Sequence, residues 1–183
     1  MTSTGTTPIM EQEMRVTKRD GTLKTVEFDK ILRRVKILGN EAGIKINYTA
    51  LTMKVIDQIF DGISTAKIDE LSAEQCASMS SAHHDYNTLA GRIVVSNHQK
   101  NTYPSFTKVM TDLYKFTDKN GKNSPLVSDE LFNVVTSDVT GELDKMCDYN
   151  RDYLIDYFGF KTLERAYLMK IDGKTVERPQ HMW

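Results

Sequence analysis

The hydrophobic and polar positions at the start of the chain predict a β-hairpin over residues 14–28. Two short strands, 14–18 and 23–28, flank the dipeptide Asp20-Gly21. Asp-Gly is a strong turn signal because glycine adopts a positive φ without steric cost. The patterned part of the sequence is therefore expected to begin with two antiparallel strands joined by a tight turn.

Apolar residues at helical spacing then follow in several runs. The first helix is expected to begin at Asp29, because a carboxylate at that place can accept the free N–H groups of the first turn. Gly39 or Gly43 is the expected end of this helix. A long helix is also predicted over about 85–100, before a proline that cannot continue it.

Two further helices and a strand are predicted between these. One helix is expected over 49–61, with Phe60 among its inward-facing residues. Residues 64–68 are expected to form a third strand, and Asp69 is expected to cap the next helix. The order strand, strand, helix, helix, strand, helix, helix over residues 14–103 predicts one compact domain.

The pattern beyond residue 104 is looser. It predicts a helix over 105–116, a polar loop over 117–125, one or two helices over 127–146, an amphipathic stretch over 161–170 and a tight turn at 171–174. Residues 148–160 are dense in Tyr and Phe. Acidic neighbours such as Asp152 would repel phosphates, so we interpret this stretch as core, or as a surface for more protein, and not as a platform for single-stranded nucleic acid.

The charge balance narrows the range of partners. The chain has 183 residues with 24 Lys and Arg against 25 Asp and Glu, which gives a net charge of −1. This balance provides no basic field for gripping nucleic acid, so we expect no nucleic-acid partner. No apolar run approaches the roughly 18 residues that a membrane span needs, so we expect no membrane partner. A local cluster of cations could still bind a small anion.

The N-terminal segment and the cysteines indicate the compartment. Residues 1–13 are Thr-rich and carry no secretory signal, and we expect them to be a disordered tail. Cys76 and Cys147 lie far apart in sequence and fit no disulfide, metal or redox spacing. The expected compartment is therefore the reducing cytoplasm.

A candidate anion site lies at the predicted hairpin turn. Lys18 and Arg19 are adjacent cations that would face the start of the helix predicted at Asp29, where free N–H groups and a partial positive charge favour anions. Lys30 in the first turn and Lys100 at the end of a later helix could add further cations. The plainer interpretation is a basic turn that is only solvated.

No group of residues suggests catalysis or a resident metal. His83 and His84 are adjacent, so on a helix they would diverge by about 100° and could not easily share a metal ion. Cys76 has the spacing of a buried, inert thiol. The chain also contains neither GxxxxGK[ST] nor GxGxxG. We therefore assign no catalytic and no metal-binding residue.

Particular motifs nevertheless resemble a known family. The chain resembles the ATP-cone domain at Val16-Thr17-Lys18-Arg19-Asp20-Gly21, at Phe28-Asp29-Lys30-Ile31, and at Asp85-Tyr86 with Leu89-Ala90 and Arg92-Ile93. It resembles the segment that leads into the catalytic barrel of class I ribonucleoside-diphosphate reductase large subunits at Tyr157-Phe158-Gly159-Phe160-Lys161-Thr162-Leu163-Glu164-Arg165 and Glu177-Arg178-Pro179-Gln180-His181-Met182-Trp183. The two sets of motifs occur in the family's order.

The resemblance implies a mainly α fold of the α+β class. The cone, expected over 14–104, would be a four-helix bundle capped by a small three-stranded sheet, which agrees with the element order given above. Residues 105–183 would be a mostly helical connecting segment of the large subunit.

The resemblance also implies an allosteric site at which ATP activates and dATP inhibits the enzyme. Carried over by position, Lys18 and Arg19 would meet phosphates, Thr65 and Asp69 would contact base or ribose, and Lys100 would complete the phosphate cage. The stretch expected to wrap the nucleotide is Lys24, Thr25, Val26, Glu27, Phe28, Asp29 and Lys30. Lys24 departs from related eukaryotic sequences, which tend to be acidic there, but a cation beside a phosphate site is electrostatically acceptable.

The family's radical and redox cysteines match neither Cys76 nor Cys147. We therefore expect these 183 residues to bind nucleotides without carrying the reduction, as a regulatory and connecting fragment of the enzyme. Large apolar side chains near the end would then lack their partner in this chain; they are Tyr153, Phe158, Phe160, Leu163, Met182 and Trp183.

Partners and cofactors follow from the same resemblance. ATP or dATP, with Mg²⁺, is the expected allosteric ligand, and no cofactor for catalysis is expected. The implied protein partners are the remainder of the large subunit and the radical-generating small subunit, and the cone could also form a homo-oligomer.

Two other functions remain open from the sequence. The cone could be degenerate and act only as a structural or interaction module. ATP cones also occur in a bacterial transcription regulator, which carries two CxxC pairs in a zinc ribbon before the cone, and this chain contains no CxxC. A working nucleotide site is favoured by six retained residues, which are Lys18, Arg19, Asp29, Lys30, Thr65 and Asp69.

Overall fold

The computed structural model describes residues 13–183, so the tail predicted over 1–13 lies almost entirely outside the described residues. Strand β1 (Arg15–Thr17) pairs antiparallel with β2 (Leu23–Thr25). Gly21 between them has a φ of +83°, as the Asp-Gly turn requires. The predicted hairpin is confirmed, with shorter strands than expected.

The predicted third strand is wrong. Ser64 makes only a single parallel bridge to Thr17, and helix α3 begins at once as Thr65–Ser78. The Ser64 side chain accepts a hydrogen bond from the backbone N–H of Lys67, so Ser64 is the N-cap and the chain turns helical there. Asp69, expected to be that cap, lies inside the helix and is buried.

Three helices complete the first part of the chain: α1 (Phe28–Asn40), α2 (Tyr48–Ile56) and α4 (His84–Asn101). The N-cap of α1 is Glu27, whose side chain makes no capping bond, so the prediction of Asp29 as cap is wrong. Helix α2 ends five residues earlier than predicted, and Phe60 is 60% exposed instead of facing inward.

Gly39 also differs from its expected role. It lies in the last turn of α1, where an added Cβ would be 2.1 Å from the hydroxyl of Tyr48. Gly39 therefore permits α1 and α2 to approach closely, while Gly43, with a φ of +67°, turns the chain after the helix.

The second part of the chain is mostly helical, in agreement with the sequence. Its elements are α5 (Phe106–Tyr114), α6 (Asp129–Ser137), α7 (Glu142–Met146), a 3₁₀ turn (Arg151–Leu154), α8 (Tyr157–Ala166), strands β3 (Lys170–Ile171) and β4 (Lys174–Thr175), and α9 (Pro179–Met182). Strands β3 and β4 pair antiparallel around the turn predicted at 171–174. The mainly α class with small antiparallel sheets is confirmed, while the first sheet has two strands instead of three.

The main hydrophobic core joins the two parts of the chain. Residues from α1 to α4 form it together with Phe160 of α8, which is fully buried. Tyr153 and Tyr157 pack against the same cluster. The expectation that Phe160 and Tyr153 would lack a partner is therefore wrong, because α4 covers them. By contrast, Phe158 is 62% and Trp183 80% exposed.

Gly91 explains how closely this docking brings the two parts together. A Cβ at Gly91, in the middle of α4, would lie 2.8 Å from the backbone oxygen of Ile155 and 3.2 Å from the backbone nitrogen of Tyr157. Main-chain atoms cannot rotate away as a flexible side chain can. The absence of a side chain at this position lets the segment before α8 lie directly on α4.

Two smaller hydrophobic clusters pack the hairpin and the helices that follow α4. One lies beneath the β1–β2 hairpin and includes Val16, Ile31 and Ile68. The other holds α5 to α6 through residues such as Leu113 and Val135. Within residues 13–183, none of the helices has both the length and the apolar character to span a membrane.

Candidate functional site

An open cleft lies between the β1–β2 hairpin, the start of α1, the first turns of α3 and the end of α4. It encloses about 660 Å³, including the solvent at its mouth. Of the twelve residues predicted to bind a nucleotide, nine line it: Lys18, Arg19, Thr25, Val26, Glu27, Lys30, Thr65, Asp69 and Lys100. Residues from three separate stretches of sequence, 16–34, 65–72 and the end of α4, therefore meet in one place.

The other three predicted residues lie outside the cleft. Lys24 lines an adjoining depression with Glu13 and Arg15. Phe28 and Asp29 are exposed in the first turn of α1, and neither lines the cleft.

The lining combines an apolar wall with a cationic one. Val16, Ile31 and Ile68 belong both to the lining and to the small core beneath the hairpin. Five cations line the cleft against two carboxylates, an excess of three positive charges in a protein whose net charge is −1; the charged residues are Lys18, Arg19, Lys30, Arg34, Lys100, Glu27 and Asp69. Such a lining suits a ligand that is apolar at one end and strongly anionic at the other.

Asp69 organises the cationic wall. Its carboxylate Oδ2 lies 3.0 Å from Nη2 of Arg19 and 3.3 Å from Nη2 of Arg34. Thr65, Asp69 and Ser72 are spaced four and three residues apart on α3, so they share the face that lines the cleft. A buried carboxylate held between two guanidiniums keeps both of them at the edge of the cavity.

Arg19 has additional partners on α4 that the sequence did not indicate. Its Nη2 donates to Oδ1 of Asn97 at 2.6 Å and its Nε donates to Oδ1 of Asn101 at 2.9 Å. Asn97 also donates to the backbone oxygen of Ala66 at 3.1 Å. The end of α4 thereby ties the hairpin turn to α3.

Arg34 is a lining cation that sequence reasoning missed. Its Nη2 donates to Oγ of Ser96 at 2.9 Å, in addition to its contact with Asp69. Lys30 and Arg34 are four residues apart on α1, so they lie on one face of the helix. That spacing could have identified Arg34 once Lys30 had been chosen.

Two ionisable groups of the cleft have shifted pKa values. Burial lowers the pKa of the Lys100 ammonium, and the nearby positive charge of Arg34 lowers it further. The hydrogen bond from Lys30, at 2.6 Å, lowers the pKa of the Glu27 carboxyl. Crowded cations disfavour one another's charge, so a bound anion would relieve their repulsion.

The N-terminus of α1 also opens onto the cleft. Glu27 and Lys30 line it, and Glu27 makes no side-chain capping bond to the first turn. The first N–H groups of a helix lack partners within the helix and carry its partial positive charge. This end of α1 therefore adds neutral donors to the cations around it.

The histidines and cysteines lie elsewhere. His83 precedes α4 in an extended conformation, so its ring lies 4.9 Å from that of His84, and the argument that the two must diverge is wrong. Together with Asp85 they offer three potential metal ligands within 4.8 Å of one another, but at the positive end of a helix, which disfavours a cation. Cys76 is buried, and desolvation raises its pKa to about 12, as expected for an inert thiol.

Comparison with known proteins decides between a general anion cleft and a recognised module. Residues 14–101 match the ATP cone domain. The ATP-cone match spans β1 to the end of α4 and so contains every residue that lines the cleft. The resemblance inferred from the sequence motifs is confirmed.

Similarity extends beyond the ATP-cone match into the second part of the chain. The ribonucleoside-diphosphate reductase large subunit of Arabidopsis thaliana is 44% identical over 173 residues, covering 92% of this chain and 21% of that protein. The large subunit of Dictyostelium discoideum is 46% identical over 187 residues, covering 98% and 21%. Large chain 2 of Saccharomyces cerevisiae is 42% identical over 172 residues, covering 92% and 20%. The chain thus spans about a fifth of the length of the curated relatives it matches.

Proposed function

We propose that this chain is a nucleotide-responsive regulatory region of a ribonucleoside-diphosphate reductase large subunit, and that the cleft is its allosteric site for ATP and dATP. The observation that carries the proposal is the excess of three positive charges in a cleft that also has an apolar wall, located inside the ATP-cone match. The triphosphate would occupy the cationic wall and the nucleoside the apolar one.

The contacts available in the cleft support a micromolar affinity for a nucleotide. A charge-assisted hydrogen bond contributes roughly 1.5–3 kcal/mol, and three or four of them would reach the roughly −8 kcal/mol of micromolar binding. Lys18, Arg19 and Lys30 come from the hairpin and α1, and Lys100 comes from α4. Because these elements approach from different sides, they can contact several phosphate oxygens at once.

The two carboxylates that line the cleft have a second role in the proposed binding. Glu27 and Asp69 supply carboxylate oxygens, which can coordinate Mg²⁺ and accept hydrogen bonds from ribose hydroxyls. We propose that Mg²⁺ enters with the nucleotide and that Asp69 acts by orienting Arg19 and Arg34 as well as by meeting the nucleoside.

The protein partners are proposed from the same relationship. The remainder of the large subunit and the radical-generating small subunit would be the partners of the regulatory region, and the cone could associate with a second copy. Exposed apolar side chains outside the cleft, among them Phe158 and Trp183, support contact with further protein.

Calorimetry with ATP and with dATP in the presence of Mg²⁺ tests the proposed site. We expect roughly micromolar binding of both nucleotides. Changing Lys18 and Arg19 together to Ala should weaken binding at least about tenfold, since two phosphate contacts are removed. Lys36→Ala is the matched control, because Lys36 is an exposed cation of α1 that does not line the cleft.

The outcomes separate the candidate functions. Folded protein that releases no heat with either nucleotide would refute the allosteric site and leave a degenerate cone with a structural role. Equal weakening by the double change and by Lys36→Ala would show that only general electrostatic attraction operates.

A further inference from the structure

The last turn of α4 makes contacts on two opposite faces. On the cleft side, Asn97 and Asn101 accept hydrogen bonds from Arg19, and Lys100 lines the cavity. On the opposite side, Nε2 of Gln99 donates to Oδ2 of Asp152 at 2.9 Å. One helical turn is therefore held between the candidate nucleotide site and the C-terminal part of the chain.

Arg178 caps the end of this turn from a distance in sequence. Its Nη2 donates to the backbone oxygen of Gln99 at 2.6 Å and to that of Thr102 at 2.9 Å, and its Nε donates to Oγ1 of Thr102 at 3.0 Å. The guanidinium is buried, and it stacks 4.5 Å from the centre of the Tyr149 ring. These donors satisfy carbonyl oxygens that a helix leaves unpaired at its C-terminus.

Neighbouring contacts strengthen the same attachment. Nε2 of His98 donates to the backbone oxygen of Glu177 at 2.9 Å, and the His98 ring packs 5.1 Å from Phe160. A cation at the negative end of a helix dipole is stabilising, more so when it is partly buried. Without Arg178, the last turn of α4 would lose both its donors and its complementary charge.

We propose that Arg178 is a positioning residue for the nucleotide cleft, because it fixes the turn from which Asn97 and Asn101 orient Arg19. The inference rests on the proposed function and specifies how the C-terminal segment takes part in it. By thermodynamic linkage, a nucleotide that tightens the cleft also tightens the hold of α4 on Arg178. Occupancy of the cleft is thus communicated to residues 177–183 through one helical turn.

The first part of the test needs no nucleotide. Amide hydrogen exchange is compared for the unmodified chain, Arg178→Ala and Arg151→Ala. Arg151 is the matched control, because it is an exposed arginine in the C-terminal part of the chain that pairs with Asp148. We expect Arg178→Ala to speed exchange in residues 97–103 roughly tenfold or more, and Arg151→Ala to leave it unchanged. Unchanged exchange in Arg178→Ala overturns the proposal, even if the chain binds no nucleotide.

The second part measures binding of inorganic triphosphate and of ATP by calorimetry on variants shown to be folded by circular dichroism. Arg178→Ala should weaken triphosphate binding roughly tenfold, and Arg178→Lys should recover part of it, since an ammonium keeps the charge but not the planar fork. If Arg178→Ala does not fold, Arg178→Lys compared with the unmodified chain carries the test.

Two results decide the second part. Added ATP should slow exchange in residues 177–183 of the unmodified chain and not in Arg178→Ala. Equal triphosphate affinities in Arg178→Ala and Arg151→Ala would refute the positioning role. An unmodified chain that binds neither ATP nor triphosphate would refute the proposed function instead, and the exchange experiment would still decide the role of Arg178.

Discussion

Phe160 provides a sharp test of whether the two parts of the chain share one core. It is fully buried among residues of α1 to α4, and its ring meets that of His98 at 5.1 Å. The change Phe160→Ala removes this ring and leaves a cavity between α8 and α4. The matched control is Phe158→Ala, in the same helix, because Phe158 is 62% exposed.

The expected loss of stability in Phe160→Ala follows from the burial of the ring. Replacing a fully buried phenylalanine by alanine costs about 3–5 kcal/mol, which is a large part of a total stability of roughly 5–15 kcal/mol. For a chain of this size, each kcal/mol shifts Tm by about 2–4 °C, so Phe160→Ala should lower Tm by roughly 6–20 °C. Phe158→Ala should stay within about 1 kcal/mol, since an exposed ring loses little burial.

Calorimetric or circular-dichroism melting measures both variants. Because α4 belongs to the shared core, we expect the unmodified chain to melt in one transition and Phe160→Ala to melt in one lower transition. A Tm for Phe160→Ala close to that of Phe158→Ala would contradict the docking of α8 on α4. Early melting of residues 148–183 alone would restore the idea that they lack a partner in this chain.

Three further predictions concern single residues. Gly39→Ala should lower the free energy of unfolding, measured in urea, by about 1–3 kcal/mol. The new methyl group would clash with the Tyr48 hydroxyl and disturb its hydrogen bond to the backbone oxygen of Ile44. Unchanged stability would show that α1 and α2 are further apart. Burial raises the pKa of Cys76 to about 12, so Cys76 should not react with a thiol-specific reagent until denaturant is added. Rapid labelling of both Cys76 and Cys147 in the native protein would refute the burial of Cys76. Burial lowers the pKa of His181 to about 4, whereas the pKa of an unfolded histidine is about 6.5. The stability that comes from the neutral, buried His181 is therefore fully present above about pH 6.5 and is lost as the pH falls toward 4. An NMR titration of the His181 ring in folded protein with a midpoint near 6.5 would contradict this, and His181→Gln should flatten that part of the stability profile.

The local part of the candidate site could be predicted from sequence. The Asp-Gly turn fixed the hairpin, and with it the placement of Lys18 and Arg19 beside the first helix. Lys30 followed from its place in the first turn of that helix. These residues lie within a short stretch of chain, where turn and capping signals act directly.

The partners of Arg19 could not be predicted in the same way. Asn97 and Asn101 lie about eighty residues later, and neither has a sequence signal that distinguishes it from a solvated amide. Asp69 lines the cleft as expected, but it lies inside α3 and not at its cap, because the pattern of residues 64–68 is typical of a short strand. A serine before a helical run was the better signal, since its hydroxyl can cap the helix.

The docking of α8 on α4 is hard to predict for a different reason. The composition of the aromatic stretch does not show which of its rings are buried. Tyr157 and Phe160 are three residues apart and share one face of α8, which packs on α4. Phe158 falls on the other face and is exposed. Periodicity would have separated the buried rings from the exposed one, although only the fold shows that α4 is the surface they cover.

The cap on α4 also sets an order of events during synthesis of the chain. Thr102 and the Arg178 that holds it are 76 residues apart. At a translation rate of about 5–20 residues per second, roughly 4–15 s separate the two on the ribosome. The β1–β2 hairpin and helices α1 to α4 can assemble during that interval with the end of α4 still uncapped. With Arg178 in its proposed positioning role, the cleft reaches its final geometry only after translation has moved far beyond the residues that line it.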